Sequence, residues 1–210
     1  MRFLNTTIDL SEKVFIPETE TKFWTKKAIL LMKSKKFKNK KVLDILDIFS
    51  GSGFIGIAIL VNVKNTKVTF SDVDENSIKQ IKINLKLNKI SPQRYKILKS
   101  DIFSSFPKNK KYDFILANPP YVALKYAWQV QKSVLKKDPF ISLFSGKDGL
   151  NHIRVFLSRV KKFLKNGGFC FMEFDPRQKK EIRKILQKEK LKYIIKKDQY
   201  DLNRYVIIKN

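Results

Sequence analysis

Short apolar runs alternate with longer stretches of helical spacing along most of the chain. Val42 to Phe49, Val68 to Ser71, Tyr95 to Leu98, Phe114 to Ala117 and Phe169 to Phe174 are short, nearly uninterrupted apolar runs. Such runs read as strands buried on both faces. Gly53 to Val61 is an apolar helix. Glu75 to Leu87 puts Ile78, Ile81 and Leu85 on one helical face. Gly149 to Leu164 carries a stripe of Ile153, Phe156, Leu157, Val160 and Phe163. Asn166-Gly167-Gly168 is expected to end that helix, because glycine suits the residue after a helix. Arg177 to Glu189 is a basic helix, and Ile194 to Ile195 and Tyr205 to Ile208 are closing strands. Repeated β-α-β units predict an α/β fold: a mostly parallel, seven-stranded, Rossmann-like sheet with helices on both faces.

Ahead of this pattern, Arg2 to Pro17 reads as a short hairpin with a turn near Ser11. Glu20 to Lys33 is a helix through Phe23, Ala28, Leu31 and Met32. Lys33 to Lys41 is expected to be a basic, mobile linker. With 210 residues, the chain suits one domain, residues 1–41 leading into a catalytic core over 42–210.

Charge changes the picture. The net charge is +26. It reflects either a lysine-rich compositional bias or a phosphate-rich partner such as RNA or the ribosome. Lysine outnumbers arginine, which favours bias. One cysteine, Cys170, and one histidine, His152, exclude a disulfide framework and a Cys/His zinc site. No apolar run approaches the ~18 residues of a membrane span, and the first residues lack a signal peptide's apolar block. A cytoplasmic protein is expected.

The strongest chemical signal is Asn118-Pro119-Pro120-Tyr121, which ends the run Phe114 to Ala117. Pro119 cannot donate to a sheet, so the strand stops at Asn118. A residue before proline is pushed to extended geometry, which fixes the direction of the Asn118 side chain. An amide, stiff prolines with free carbonyls, and an aromatic make a claw suited to a planar NH2 group. The run resembles the Asn-Pro-Pro-Tyr motif of methyltransferases that act on amino or amide nitrogens.

A second signal follows the first core strand, at Asp47-Ile48-Phe49-Ser50-Gly51-Ser52-Gly53. Three of the chain's seven glycines, Gly51, Gly53 and Gly56, crowd there, and all seven are expected at turns. Glycines let a backbone turn sharply and approach a ligand. No Gly-Lys-Ser/Thr follows, which excludes a phosphate loop. Asp72, with Val73 beside it, stands about 20 residues on, the spacing of a ribose-binding acid. Asp74 suits a helix cap. Asp101 can accept from an adenine amino group while Ile102 and Phe103 pack the ring. Asp47, Asp72, Asp101 and Glu173 all fall at strand carboxyl ends, where open α/β sheets bind ligands. Four acids on one edge suit a cationic, hydroxyl-rich ligand, and S-adenosyl-L-methionine fits.

From about Val14 to Ile208 the chain resembles the HemK/PrmC family of glutamine-N5 methyltransferases. Val14-Phe15-Ile16-Pro17 with Glu20-Thr21 is similar to that family's Leu-Ile-Pro-Arg-x-Glu-Thr-Glu motif. Asp138-Pro139, Leu143 and Ser145 to Leu150 are similar to its Glu-Pro-x-x-Ala-Leu-x-Gly-Gly-x-Asp-Gly-Leu. Gly167-Gly168, Glu173 and Gln178 follow at family spacing, and Asn203-Arg204 resembles its closing Asp-Arg. Three departures stand out. Phe49 replaces the usual first glycine of the cofactor loop, as in some RNA and DNA methyltransferases. Glu18 and Lys22 replace residues of the first motif. The family's amino-terminal helical domain has no counterpart here.

The resemblance implies a class I methyltransferase fold and methyl transfer to a glutamine of a peptide-chain release factor. It implies cofactor contacts from Asp47, Phe49, Ser50, Gly51, Gly53, Asp72, Val73, Asp101, Ile102 and Asn118. Asn118, Pro119, Pro120 and Tyr121 would form the catalytic motif, with no metal. The nearest alternative is methylation of the adenine amino group in RNA or DNA, which needs an unpaired base. A non-catalytic RNA-binding protein and an NAD dehydrogenase are weaker readings. Cys170 and Trp24 are expected in the core, and His152 on the exposed side of its helix without a role. Trp128 is core or substrate-lining, and residues 122–137 are a candidate lid.

Overall fold

In a computed structural model, which describes residues 1–123 and 145–210, the apolar runs line up as one seven-stranded sheet. Its strands are β3 (Leu43–Ile48), β4 (Thr66–Asp72), β5 (Tyr95–Lys99), β6 (Tyr112–Ala117), β7 (Leu164–Glu173), β8 (Lys192–Lys197) and β9 (Asn203–Lys209). Their spatial order is β5-β4-β3-β6-β7-β9-β8. The first five run parallel, and β9 is antiparallel to both its neighbours. The chain moves from β3 outward to β4 and β5, then returns to β6 on the other side of β3. That reversal makes the carboxyl ends of β3 and β6 the switch point, where such sheets hold ligands. Asp47 pairs with Leu116 and Ile48 with Ala117, so the glycine turn and the Asn-Pro-Pro-Tyr run leave the sheet side by side.

The period-2 alternation of side chains divides the core in two. Ile45, Phe114, Leu116 and Phe171 face one cluster, with Trp24, Phe54 and Phe70. Leu46, Ile115, Ala117, Cys170 and Met172 face the other, with Phe103, Phe156 and Phe163. Helices α3 (Phe54–Asn62) and α4 (Glu75–Leu87) cover the first face with α1 (Thr19–Met32). Helices α5 (Asn151–Phe163) and α6 (Lys179–Lys188) cover the second. The seven-stranded, doubly covered sheet expected from the pattern is present.

Four local expectations need correction. The hairpin β1 (Arg2–Phe3) and β2 (Thr6–Thr7) turns at Leu4 and Asn5, not near Ser11. Both turn residues have positive φ, the tight geometry that matches strand twist. Lys35–Lys38 forms a helical turn, α2, in the stretch expected to be a mobile linker. Phe37 is buried there, edge-on to Phe114 at 4.9 Å and to Phe169 at 6.0 Å. One aromatic among lysines is enough to tie the segment down. Helix α5 ends at Phe163, and Gly167 and Gly168 lie inside β7. Gly168 lets the backbone pass close, since a Cβ there would meet Asp113 O at 3.0 Å. Gly56 is helical and not at a turn, because a Cβ would collide with the Phe70 ring at 2.3 Å. Trp128, Asp138-Pro139, Leu143 and most of the 122–137 candidate lid lie outside the described residues. No helix among the described residues is long and apolar enough to cross a membrane.

The amino ends of the strands are pinned by Asp113. Its carboxylate, nearly inaccessible, accepts from Lys40, from the Asp44 amide at 2.8 Å and from Lys165 at 2.9 Å. Burial pushes its pKa up, but these donors outweigh burial and hold it below the usual value. A depressed folded pKa contributes stability above the unfolded value of about 3.9, lost as pH falls through the folded value. Asp113→Asn should therefore cost about 1.5–3 kcal/mol near neutrality, and the deficit should shrink in acid. Urea melts across pH test this, and a deficit that stays constant into acid would refute it.

Candidate active site

The glycine turn sits over the end of β3. Phe49, Gly51 and Gly53 have φ of 59°, 52° and 76°. Ser50 is buried and fastens the turn to its neighbours. Its Oγ donates to Asp47 O at 2.7 Å and accepts from the Ser71 amide at 2.9 Å. Asn84 of α4 holds the other flank, donating to Ser52 O at 2.9 Å. Asp47 is fully buried beneath the turn. One of its oxygens accepts from the Gly56 amide at 2.9 Å, and the other has no partner among the described residues. Burial drives its pKa well above the ordinary value.

Asp72 stands half-buried at the end of β4. It accepts from Gly51 N at 2.8 Å and Asp74 N at 3.0 Å, so it joins the turn to the next helix. Burial also raises its pKa. Val73 beside it is exposed. Asp74 caps α4 by accepting from Ser77 N at 2.9 Å, as its position implied. Asp101, after β5, is exposed. Ile102 is buried with a φ of 49°. Phe103 is buried in a stack with Phe163 at 4.3 Å and Phe156 at 5.5 Å, so its ring serves the core. Over Gly51 the space is open among the described residues, with Phe15 Cβ 3.9 Å from where a side chain would begin.

Across the switch point, Asn118 is half-buried, Pro119 buried, and Pro120 and Tyr121 half-buried. The claw is gripped from behind by groups whose partnership the pattern did not show. Glu173, at the end of β7, is fully buried. It accepts from Thr21 Oγ1 at 2.7 Å, Trp24 Nε1 at 2.6 Å and the Tyr121 hydroxyl at 3.2 Å. Burial raises the pKa of Glu173, opposed by Trp24, Thr21 and the charge of Arg204. Burial, then the Glu173 charge, pushes Tyr121 well up, so its hydroxyl stays a donor. Asn118 Nδ2 lies 3.5 Å from Thr21 Oγ1. Trp24 is core, as expected, yet its indole N–H serves this acid. The sequence signals were the Glu20-Thr21 pair and a lone acid between Met172 and Phe174.

A second grip comes from Gln178. Its Nε2 donates to Tyr121 O at 2.8 Å and Asp148 O at 3.0 Å, tying the claw to the Gly146–Leu150 loop. His152 is not an idle exposed residue. It is half-buried, its Nδ1 lies 2.8 Å from Ser145 Oγ, and Phe49 meets its ring edge-on at 6.3 Å. Cys170 is fully buried, which pushes its thiol pKa up.

The sheet order, the switch point and the acid-lined edge define the class I methyltransferase architecture. Residues 26–139 match the family model of the methyltransferase small domain, and the chain belongs to that family. The chain is 33% identical over 95% of its length to a release factor glutamine methyltransferase of Fusobacterium nucleatum, covering 54% of that protein. It is 28% identical over 92% of its length to the Clostridium botulinum enzyme of the same name, covering 66%. The chain thus spans about half to two thirds of these relatives, which bear out the HemK/PrmC resemblance. Among solved structures, the hMettl16 catalytic domain in complex with a 3'UTR hairpin shares the fold at TM-score 0.72. Identity there is 16%, covering 99% of this chain and 76% of that one.

Gly149 tests how tightly the claw is held. Its φ is 76°, and a Cβ would lie 2.2 Å from Tyr121 O and 2.6 Å from Gln178 Nε2. Gly149→Ala should cost about 1–3 kcal/mol through left-handed strain alone, and should displace the Tyr121 carbonyl. An unchanged thermal midpoint would show that the loop yields freely.

Proposed function

We propose that this chain carries the catalytic part of an S-adenosyl-L-methionine-dependent methyltransferase. Its acceptor is the side-chain amide nitrogen of a glutamine in a peptide-chain release factor, which places it in the cytoplasm. The observation that carries the reading is the Asn118 to Tyr121 claw at the switch point, beside the glycine turn.

The residues present fit the cofactor. Over Gly51 the turn is open to a ligand's close approach, while Gly53 packs against Ile81 and Phe70. Asp72 retains acceptor capacity for ribose hydroxyls, Val73 offers an exposed apolar face, and Asp101 a free-standing carboxylate for an adenine amino group. Asp47, Phe49, Ser50 and Ile102 shape the turns beneath, and the acids suit an ammonium and a sulfonium. When bound, the cofactor supplies an electrophilic methyl group.

The chain's own task is to prepare the nitrogen. An amide nitrogen is a poor nucleophile because its lone pair is shared with the carbonyl. Asn118 Oδ1 and the Pro119 carbonyl accept from its two hydrogens, raise its electron density and hold it in line. Pro120 stiffens the loop, and Tyr121 packs the amide plane. Orientation and preorganised dipoles then carry the rate. The relatives' names favour glutamine over a nucleobase. A single aromatic and stiff prolines also suit a narrow slot better than a purine ring. The +26 charge leaves room for a ribosome or RNA contact beside this chemistry.

Asp72→Ala should weaken cofactor binding by ~1–3 kcal/mol, the loss of a charge-assisted hydrogen bond. Unchanged affinity by calorimetry would remove Asp72 from the site. Asn118→Ala should abolish methylation of release factor and leave cofactor affinity nearly intact. Mass spectrometry of release factor and bulk RNA after incubation with labelled cofactor decides the acceptor. Label on adenine with the glutamine untouched would sink the proposal.

A further inference from the structure

We infer that Thr21 and Glu173 are positioning residues that set which face of the Asn118 amide meets the substrate. The inference rests on the acceptor role proposed above for Asn118.

A threonine hydroxyl has one hydrogen to give. Thr21 is fully buried, and that hydrogen goes to Glu173 Oε2 at 2.7 Å. A carboxyl oxygen can accept from two donors at once, and an indole N–H only donates. Trp24 therefore holds the same oxygen as an acceptor, at 2.6 Å, and Tyr121 donates to Oε1 at 3.2 Å. With its hydrogen committed, Thr21 Oγ1 offers nothing but lone pairs towards Asn118.

Asn118 answers with its NH2. Nδ2 lies 3.5 Å from Thr21 Oγ1. The flipped amide would set its oxygen against those lone pairs, two acceptors facing each other. Nδ2 is thus kept towards Thr21, and Oδ1 is left as the outward atom. A substrate NH2 needs an acceptor, so this orientation admits a donor and the flipped one repels it. The selection is made by a carboxylate one residue removed, through a hydroxyl that never touches the substrate. Glu173 fixes Tyr121 by its other oxygen, so one buried carboxyl group aligns both the acceptor and the aromatic wall.

The test compares Thr21→Val, which keeps the shape and removes the hydroxyl, with Thr21→Ser, which keeps the hydroxyl. With release factor as substrate and saturating cofactor, Thr21→Val should lower kcat by about 10- to 100-fold, the scale of a misplaced reacting group. Cofactor affinity should stay near wild type, while the thermal midpoint should fall, because buried Glu173 loses a donor. Thr21→Ser should recover most of the lost kcat. Side-chain amide spectra of asparagine-labelled protein give a readout independent of activity. The Asn118 Nδ2 protons should show a contact to Thr21 in wild type and to Ser in the rescue variant. Undiminished kcat in Thr21→Val overturns the inference. So does a Thr21→Ser variant equally impaired at an unchanged midpoint, or an Asn118 amide with no Thr21 contact. If wild type leaves the glutamine unmethylated, the proposed substrate falls, and the amide spectra still decide whether the relay exists.

Discussion

The active edge depends on a buried carboxylate that has to be satisfied. A carboxyl group at zero exposure is costly unless its oxygens meet donors. Glu173 obtains its donors from two remote places. Thr21 and Trp24 come from α1, and Tyr121 from the loop after β6. Two of the three donors therefore come with α1, which packs on the core through Trp24 stacked on Phe171 at 6.4 Å. The amino-terminal helix is therefore part of the site's construction, though it lies outside the alternating strand-helix core.

The two ends of the sheet handle buried acids differently. At the amino ends, Asp113 is met by Lys40 and Lys165, so its charge is neutralised locally. At the carboxyl ends, hydroxyl, indole and backbone N–H groups are the hydrogen-bond donors to Glu173, Asp72 and Asp47, and burial raises the pKa of each. Arg204, the nearby cation, is itself paired with Asp198 at 2.9 Å. In a chain of net charge +26, the described residues at the strand carboxyl ends thus gather three acids. Acids gathered at one edge suit a cationic ligand.

Where each strand is covered on both faces, its run of apolar residues is distinctive, and β3, β6 and β7 were legible. The glycine turn, Asp74 as a cap and the Asn118 claw were legible because turn chemistry is local. The misses share one cause. Phe37 defines α2 through rings at positions 114 and 169, and Thr21 serves Glu173 from 152 residues away. His152 meets Phe49 through the fold and not through its own helix. Gly56 reads as a turn residue, yet its smallness answers the Phe70 ring and the Asp47 carboxylate. Periodicity reports which face of an element is buried, and not which distant side chain it meets.

Phe49 shows how a departure from a motif can leave the geometry intact. The resembled family carries glycine there, which suits the left-handed backbone the turn needs. Phe49 adopts that same region, with φ of 59°. The strain for a non-glycine residue is about 1–3 kcal/mol. Its ring meets Phe156 at 6.0 Å and His152 at 6.3 Å, both edge-on. Contacts of this kind contribute about 0.5–1.5 kcal/mol each beyond burial, which is the size needed to offset the strain. His152 is in turn fixed by Ser145, next to the loop that Gln178 ties to Tyr121. The aromatic side chain therefore couples the glycine turn to the far wall of the claw, a link glycine cannot make. The turn keeps its shape, so Phe49 alone does not argue for a nucleic-acid substrate. The choice of acceptor lies with the groups around Asn118.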